Sequence, residues 1–484
     1  MISRRADSRG HRRVLMVACA LLAGLGGGCL VSEAARPVVK LNPVVTYQRM
    51  AGWEATAQAG QLDTTRGGLS AAFVRYKDRL FDLAVNDLGI NQLRVEMRSG
   101  SENPRDYFTE FLARRISYSE WKRHWYEKVN DNADPIVIDP RGFQFSEVDH
   151  VMDHVVLPIQ HRLEARGERL SVVLTYVDFA RSRFEHYDNP EEYAELMLAV
   201  FEHLRARYGR VPDAIEVGLE PDNTPWNGTR LGRAVAATAR RLKAGGFSPC
   251  FIAPSTTDMT KSLTYFDDMI AVPGVLGVLR ELSYHRYRGV SDQALREIAQ
   301  RATRHGLDTA MLEHIASGHE DLLSDLTIGR VSAWQQFTLA YPTQDNGAQY
   351  YWVDQRDPSN PTVHLGRRSH FLRHYFKYVR AGAVRIDAGS SSPHLRPVAF
   401  VNQDGGHVVV VNATATGPFA IEGLPAGSYG VYHTIEGAVG VEGADVTIVA
   451  GQPLETTISA RGVVTVYGKD RRTLGAAVAR RACA

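Results

Sequence analysis

The chain is short of the features that announce most chemistries. Only four of its 484 residues are cysteine, at Cys19, Cys29, Cys250 and Cys483. The first two fall in or beside an N-terminal leader-like stretch, and the other two lie far apart in sequence. Neither a disulfide framework nor a cysteine-based metal site is expected, so stability has to come from the core. Charge is balanced: 56 Lys and Arg against 54 Asp and Glu give a formal net charge of +2. That balance excludes a general attraction to nucleic acid or acidic membrane. No Gly-rich phosphate loop, dinucleotide fingerprint or Gly-x-Ser-x-Gly elbow occurs. His150 and His154 are four apart, but no Glu follows the first as in a zinc protease; Glu147–Arg166 reads as an amphipathic helix with solvated histidines. No metal and no cofactor is expected.

The one long apolar run, Val14 to Leu25, is too short to span a bilayer comfortably. Arg4, Arg5, Arg9, Arg12 and Arg13 precede it, and Ser32-Glu-Ala34 supplies a small-x-small cleavage site. Residues 1–35 therefore read as a signal peptide, and the protein as exported: periplasmic, secreted or lipid-anchored. A membrane partner is expected only if Cys29 is lipidated, and Gly26 stands where such a motif prefers Leu.

What is present is a hydrophobic composition of 44%, ample for a sizeable core and more than one domain. Strand-like and helical runs alternate over most of the chain. The strand candidates are Thr46–Met50, Gln92–Met97, Ser171–Tyr176, Ala214–Leu219, Phe247–Pro254, Glu281–Tyr287, Thr309–Glu313 and Gln349–Val353. Helical segments such as Pro190–Tyr208 and Gly232–Ala244 separate them. Eight strands with helical crossovers predict an α/β fold, a (β/α)8 TIM barrel, over 51–378. Beyond it, short strand-like runs punctuated by Gly, Pro, Asn and Asp predict an all-β sandwich over 379–469. Residues 36–50 read as an N-terminal strand joining that sandwich, and 470–484 as a basic tail.

Two carboxylates organise the chemistry. Glu220 and Glu313 each close an apolar strand-like run, and a residue at the C-terminal end of a barrel strand faces the barrel mouth. A carboxylate pair is the minimum equipment for cleaving a glycosidic bond. Arg94, His285 and Tyr287 are candidate partners for Glu313, against the plainer readings of an Arg94–Glu96 ion pair and a core histidine. Trp53, Tyr176, Trp226 and Trp352 are candidate sugar-stacking rings, against ordinary packing. Glu54 and Asp178 are further candidate mouth carboxylates. An oligosaccharide or polysaccharide is the expected partner; oligomeric state is not readable.

Several stretches resemble glycoside hydrolase family 30, within clan A. These are Gly52-Trp53, Ser283-Tyr-His-Arg-Tyr287, Met311-Leu-Glu-His314, Tyr378–Ile386, Val398–Asn402 with Asp404-Gly405, and Val408–Asn412. The resemblance implies retaining hydrolysis of a β-glycoside, with Glu220 as acid/base and Glu313 as nucleophile. Members of the family act on glucosylceramide-type, xylan, β-1,6-glucan and β-1,6-galactan substrates. The chain departs from the pattern at Leu219, where the clan has an Asn that binds the sugar 2-hydroxyl, and in lacking a Trp-rich loop after the third strand. Asn223 is the candidate substitute for that Asn. The departure keeps open a non-catalytic carbohydrate-binding protein on a degenerate barrel, and an inverting or transglycosylating enzyme on the same fold.

Overall fold

The computed structural model describes residues 36–469. The signal-peptide, lipidation and basic-tail readings all fall outside that range. The described chain begins with β1 (Val38–Arg49) and then enters a ring of parallel strands. These are β2 (Gly52–Thr56), β3 (Gln92–Arg98), β4 (Ser171–Val177), β5 (Ala214–Glu216), β6 (Cys250–Asp258), β7 (Leu279–Arg288), β8 (Asp308–Glu313) and β9 (Val331–Tyr341). Each pairs with the next, and β9 pairs with both β8 and β2, which closes the barrel. Strands covered on both faces must be apolar nearly throughout. In β4, Ser-Val-Val-Leu-Thr-Tyr-Val, every residue is buried.

Local signals set the crossovers. The helix Pro190–Tyr208 starts on Pro190, carries Glu191 and Glu192 in its first turn, and stops at Gly209 in the left-handed conformation. The next helix runs Gly228–Ala244, one turn earlier than its apolar pattern suggests, because Asn227 caps it by accepting from the Arg230 N–H at 2.9 Å. In the helical segment that starts at Ser146, His150 is buried against Phe108 rather than solvated, and burial pushes its pKa down to about 4.

Two of the eight expected barrel strands are corrected. Thr46–Met50 is not the first: residues 46–49 end β1, and the first barrel strand is Gly52–Thr56. Gln349–Val353 is not the eighth. It belongs to β10 (Gln349–Asp354), outside the ring, between β9 and β11 (Thr362–Leu365). The true eighth strand, Val331–Tyr341, is interrupted in sequence by Gln335 and Gln336. Both are fully buried and donate to carbonyls, Gln335 to Leu312 at 2.6 Å and Gln336 to Ser317 at 3.0 Å. These N–H bonds help polar residues occupy a core strand, while both Oε1 atoms are buried without a donor among the described residues.

The remaining strands are β12 (Val384–Ser390), β13 (Leu395–Val401), β14 (His407–Ala413), β15 (Gly417–Glu422), β16 (Gly427–Ile435), β17 (Ala438–Glu442), β18 (Val446–Ile448), β19 (Leu454–Ile458) and β20 (Gly462–Gly468). With β1 they form one sheet, in which β1 runs antiparallel to β12 and parallel to β15. It folds over a core of its own, built from Val39, Ile386, Val409, Phe419, Leu454 and Val464 among others. Alternate residues on the other face, including Phe400, Val410 and Tyr432, join the barrel's core beside the helix Ser369–Phe376. Barrel and sandwich therefore share a hydrophobic interior.

The barrel interior is polar from its floor upward. Glu54, Gln92, Arg94, Glu216 and Glu281 are all fully buried, and Gln92 donates a short bond to Glu54. Burial raises the Glu54 pKa to about 8 against the pull of Arg94. A carboxyl whose folded pKa is raised contributes stability that is present below its unfolded pKa and lost as pH rises through the folded value. Unfolding free energy in urea is therefore expected to fall between pH 5 and 8 by on the order of 1 kcal/mol per pH unit from this group. Glu54→Gln should flatten that dependence; equal slopes in the two proteins would refute the assignment.

Candidate active site

The backbone does not stop at Glu216. It continues threaded between its neighbours: Val217 N–H donates to Ile252 O at 3.2 Å, Leu219 N–H to Tyr176 O at 2.9 Å, and Glu220 N–H to Ser255 O at 3.2 Å. Glu220 itself is left-handed, with φ 49° and ψ 54°. Pro221 crowds the right-handed region for the residue before it, and the left-handed one costs a non-glycine residue roughly 1 kcal/mol or more. The result is a carboxylate turned into the barrel mouth. Glu220 Oε1 lies 3.1 Å from His285 Nδ1, and Oε2 accepts from Asn223 Nδ2 at 3.0 Å.

Glu313, the last residue of β8, faces it. Its Oε2 takes a short charged bond from Arg94 Nη2, and its Oε1 accepts from Tyr287 Oη at 2.9 Å. One carboxylate oxygen from each glutamate and one ring nitrogen of His285 lie within 4.8 Å of one another. The Glu220 and Glu313 side chains keep 15% and 9% exposure, enough to be reached from the mouth.

Burial and neighbouring charge act on the groups around the pair. Burial is the largest influence on Glu313 and raises its pKa; Arg94 and His285 pull against it, Glu220 adds to it, and the net shift is upward. Burial would depress the His285 imidazole, but its bond to Glu220 and the nearby Glu313 and Glu216 outweigh burial and raise it. Burial and Glu313 both raise the Tyr287 phenol, so it remains an O–H donor. Arg94 is the hub. It is fully buried and within 4.0 Å of Glu96, Glu216 and Glu313, and its Nε donates to Thr56 Oγ1 at 3.0 Å. Both readings of Arg94, as partner of Glu313 and as ion pair with Glu96, thus describe one cluster. Glu220, His285 and Glu313 also offer three ligand atoms to a metal ion. The donor set suits one poorly, because Arg94 and Tyr287 already occupy both Glu313 oxygens and Arg94 brings its own positive charge.

The structure brings Arg94, His285, Tyr287 and Asn223 to the pair. Asp178 reaches the mouth, but its charge is matched by Lys128 at 2.7 Å and it accepts from Ser99 Oγ at 2.9 Å. With Phe179, Arg181, Tyr187 and Asn223 it lines a cleft of about 370 Å³. The four expected stacking rings are corrected. Trp53 sits near the start of β2, at the floor end of the barrel, with its ring outside the wall, where it stacks on Phe376 at 4.4 Å and its Nε1 donates to Val379 O at 2.6 Å. Tyr176 and Trp226 are buried edge-on against each other and against Tyr193. Trp352 lies on β10, outside the ring, with its face covered by His364 at 4.2 Å. Glu54 is likewise a floor residue, displaced from the mouth by the corrected first strand.

Sequence reasoning named Glu96 only as an ion-pair partner of Arg94, and missed Lys128 and Phe337. Glu96 bonds Gln58 at 3.0 Å, and Phe337 lies 5.8 Å from the Arg94 guanidinium. The period-2 run Gln92, Arg94, Glu96, Arg98 on β3 held the signal for Glu96. Lys128 comes from a loop with no periodicity to read.

No family model matches the chain, and no curated protein matches it. Solved structures do. The catalytic domain of a GH30 xylanase C from Talaromyces cellulolyticus is 15% identical with a TM-score of 0.65, over 90% of this chain and 100% of that one. A GH30 endoxylanase from Clostridium papyrosolvens C71 is 18% identical with a TM-score of 0.61, over 89% and 99%. An endo-β-1,6-glucanase is 16% identical with a TM-score of 0.60, over 89% and 93%. At these identities the likeness is one of fold: a TIM barrel with an appended β-sandwich.

Proposed function

We propose that this protein is an exported glycoside hydrolase that cleaves a β-linked glycan with retention of configuration. The observation that carries the reading is that one oxygen of Glu220 and one of Glu313 lie within 4.8 Å of each other across the barrel mouth, which favours the closer carboxyl spacing. Retaining enzymes hold their carboxyl groups about 5–5.5 Å apart, whereas inverting ones leave about 6.5–9.5 Å for a water. In support, the fold is shared with two xylanases and a β-1,6-glucanase.

In the proposed reaction Glu313 attacks the anomeric carbon. Arg94 and Tyr287 fix its two oxygens, so the attacking lone pair is oriented before substrate arrives. Glu220, held from the other side by His285 and Asn223, protonates the departing glycosidic oxygen. It then takes a proton from the water that releases the glycosyl-enzyme. Leu219 is buried and cannot hydrogen-bond a 2-hydroxyl through its side chain; Asn223, exposed beside Glu220, is the nearest amide to the leaving-group carboxylate.

The test is hydrolysis of a panel of β-linked xylo-, gluco- and galacto-oligosaccharides and the parent polysaccharides, with the first-formed anomer read by proton NMR. A β-anomer product is expected from at least one substrate. An α-anomer would replace retention by inversion. Saturable glycan binding with no turnover across the panel would favour the carbohydrate-binding reading.

A further inference from the structure

Beside Glu220 lies a cleft with no part in the chemistry described so far. Asn223 joins the two: it lines the cleft of about 370 Å³ and donates to Glu220 Oε2 at 3.0 Å. The other oxygen, Oε1, meets His285 on the Glu313 side. The acid therefore has the nucleophile on one flank and the cleft on the other. Small-ligand sites occupy about 300–1,000 Å³, and the cleft falls within that range. Phe179 stands in its wall, two residues past the end of β4. It is 39% exposed, the most exposed aromatic ring among the described residues. Among those residues its one ring contact is with Tyr126, nearly perpendicular at 5.8 Å. Tyr187, the other ring in the wall, has the Arg230 guanidinium over it at 4.8 Å, so that face is taken. The rest of the wall is polar: Asp178 engages Ser99 and Lys128 through Oδ1 alone, and Arg181 is exposed beside it.

From this we infer that the cleft is the leaving-group subsite and that Phe179 is the platform on which the departing residue stacks. That residue is itself a sugar, so the substrate is an oligosaccharide or polysaccharide rather than a glycoside of an apolar chain. This rests on the hydrolase reading, in which Glu220 protonates the glycosidic oxygen. That oxygen then has the attacked sugar on the Glu313 side and the leaving group on the other. The other side is where Asn223 and the cleft lie. A pyranose has a flat C–H face and a rim of hydroxyls, so it needs one apolar platform and several polar neighbours. Phe179 supplies the first, and Asp178, Arg181 and Asn223 the second. An alkyl chain would strip water from those polar groups and return no hydrogen bond, which is costly. A single exposed apolar residue carries no meaning by itself. This one shares a cleft with the amide that holds the acid, and a sugar laid on its ring would bury apolar area that is otherwise left in water.

The experiment compares kcat/KM on β-linked tetrasaccharides of xylose, glucose and galactose with kcat/KM on the β-glycosyl fluorides of the same sugars, whose one-atom leaving group cannot reach the cleft. Phe179→Ala, checked for native circular dichroism, should lower the tetrasaccharide value by about 10-fold or more and the fluoride value by less than about 3-fold. Phe179→Leu, apolar but not flat, should resemble the Ala variant, and Phe179→Tyr should keep most of the parent value. Equal losses on both substrates, no loss on the tetrasaccharides, or a Leu variant as active as the Tyr one overturns the inference. The hydrolase reading survives each of these results if Glu313→Gln abolishes turnover. A parent that prefers the fluorides or octyl β-glycosides to every tetrasaccharide also overturns the sugar leaving group. If the parent turns over nothing, the hydrolase reading fails, and calorimetric titration with the same tetrasaccharides decides the platform. Binding by the parent that Phe179→Ala loses retains it; no binding, or equal binding by both, overturns it.

Discussion

Glu313→Gln is expected to lower kcat on the best substrate by on the order of 10⁴-fold or more, with the fold unchanged. The amide nearly matches the carboxylate in size, so packing is preserved, but it is a far weaker nucleophile and gives Arg94 no charge to hold. Glu220→Gln should cost about 10²–10⁴-fold on a natural glycan, where the departing alkoxide needs a proton. It should cost far less in the first step on an aryl glycoside whose leaving group needs none. The two roles then separate chemically. Azide added to Glu220→Ala should speed release of the glycosyl-enzyme and yield a β-glycosyl azide. Azide added to Glu313→Ala should displace directly and yield the α-azide. Equal losses on activated and unactivated substrates in the Glu220 variant, or one azide configuration from both variants, would show the roles misassigned. Wild-type turnover by both Gln variants would remove the pair from the mechanism.

Arg94→Met should have the second largest effect, and on stability as well as rate. Arg94 is fully buried and serves Glu96, Glu216 and Glu313 together. Removing one partner of a buried ion pair costs about 3–5 kcal/mol, because the other charge is left uncompensated. The pH dependence has a definite sign. In the proposed mechanism Glu313 must be ionised to attack, and its pKa is already raised, so the acid limb of kcat/KM should lie above the ordinary carboxylate value of about 4.5. Arg94 opposes that rise, so the Met variant should shift the limb further up. A raised carboxyl pKa gives stability that is present at low pH and lost as pH climbs through the folded value. The Met variant should therefore be most destabilised near neutrality and partly recover toward pH 5, as urea unfolding at the two pH values would register. An acid limb in the same place for both proteins would mean that Arg94 does not govern Glu313.

The sequence was informative where period and punctuation agreed. Pro190–Tyr208 is bounded by Pro190 and Gly209, and its limits match the apolar pattern. Glu220 and Glu313 stood out because each ends an apolar run, and Arg94, His285 and Tyr287 because they are cationic or donor residues on strands that could reach Glu313. Failures came where a long-range partner overrode a local signal. Val331–Tyr341 hid behind two glutamines whose buried carbonyl partners lie far off in sequence. Residues 46–49 are as β-prone as any barrel strand, yet they pair with β12, more than 300 residues away. That one misplaced strand carried Trp53 and Glu54 from floor to mouth. Tyr176 lies at the end of β4 and Trp226 in the loop before the helix Gly228–Ala244, but a cluster of neighbouring rings claims their faces.

The left-handed backbone at Glu220 sets inheritance against chemistry. Glycine enters that conformation without penalty, so a mutation from glutamate to glycine there would relieve the backbone while abolishing the acid. For a gene drifting free of selection, loss of this side chain would be rewarded rather than resisted by folding. Folding alone therefore gives no reason for a glutamate at this position.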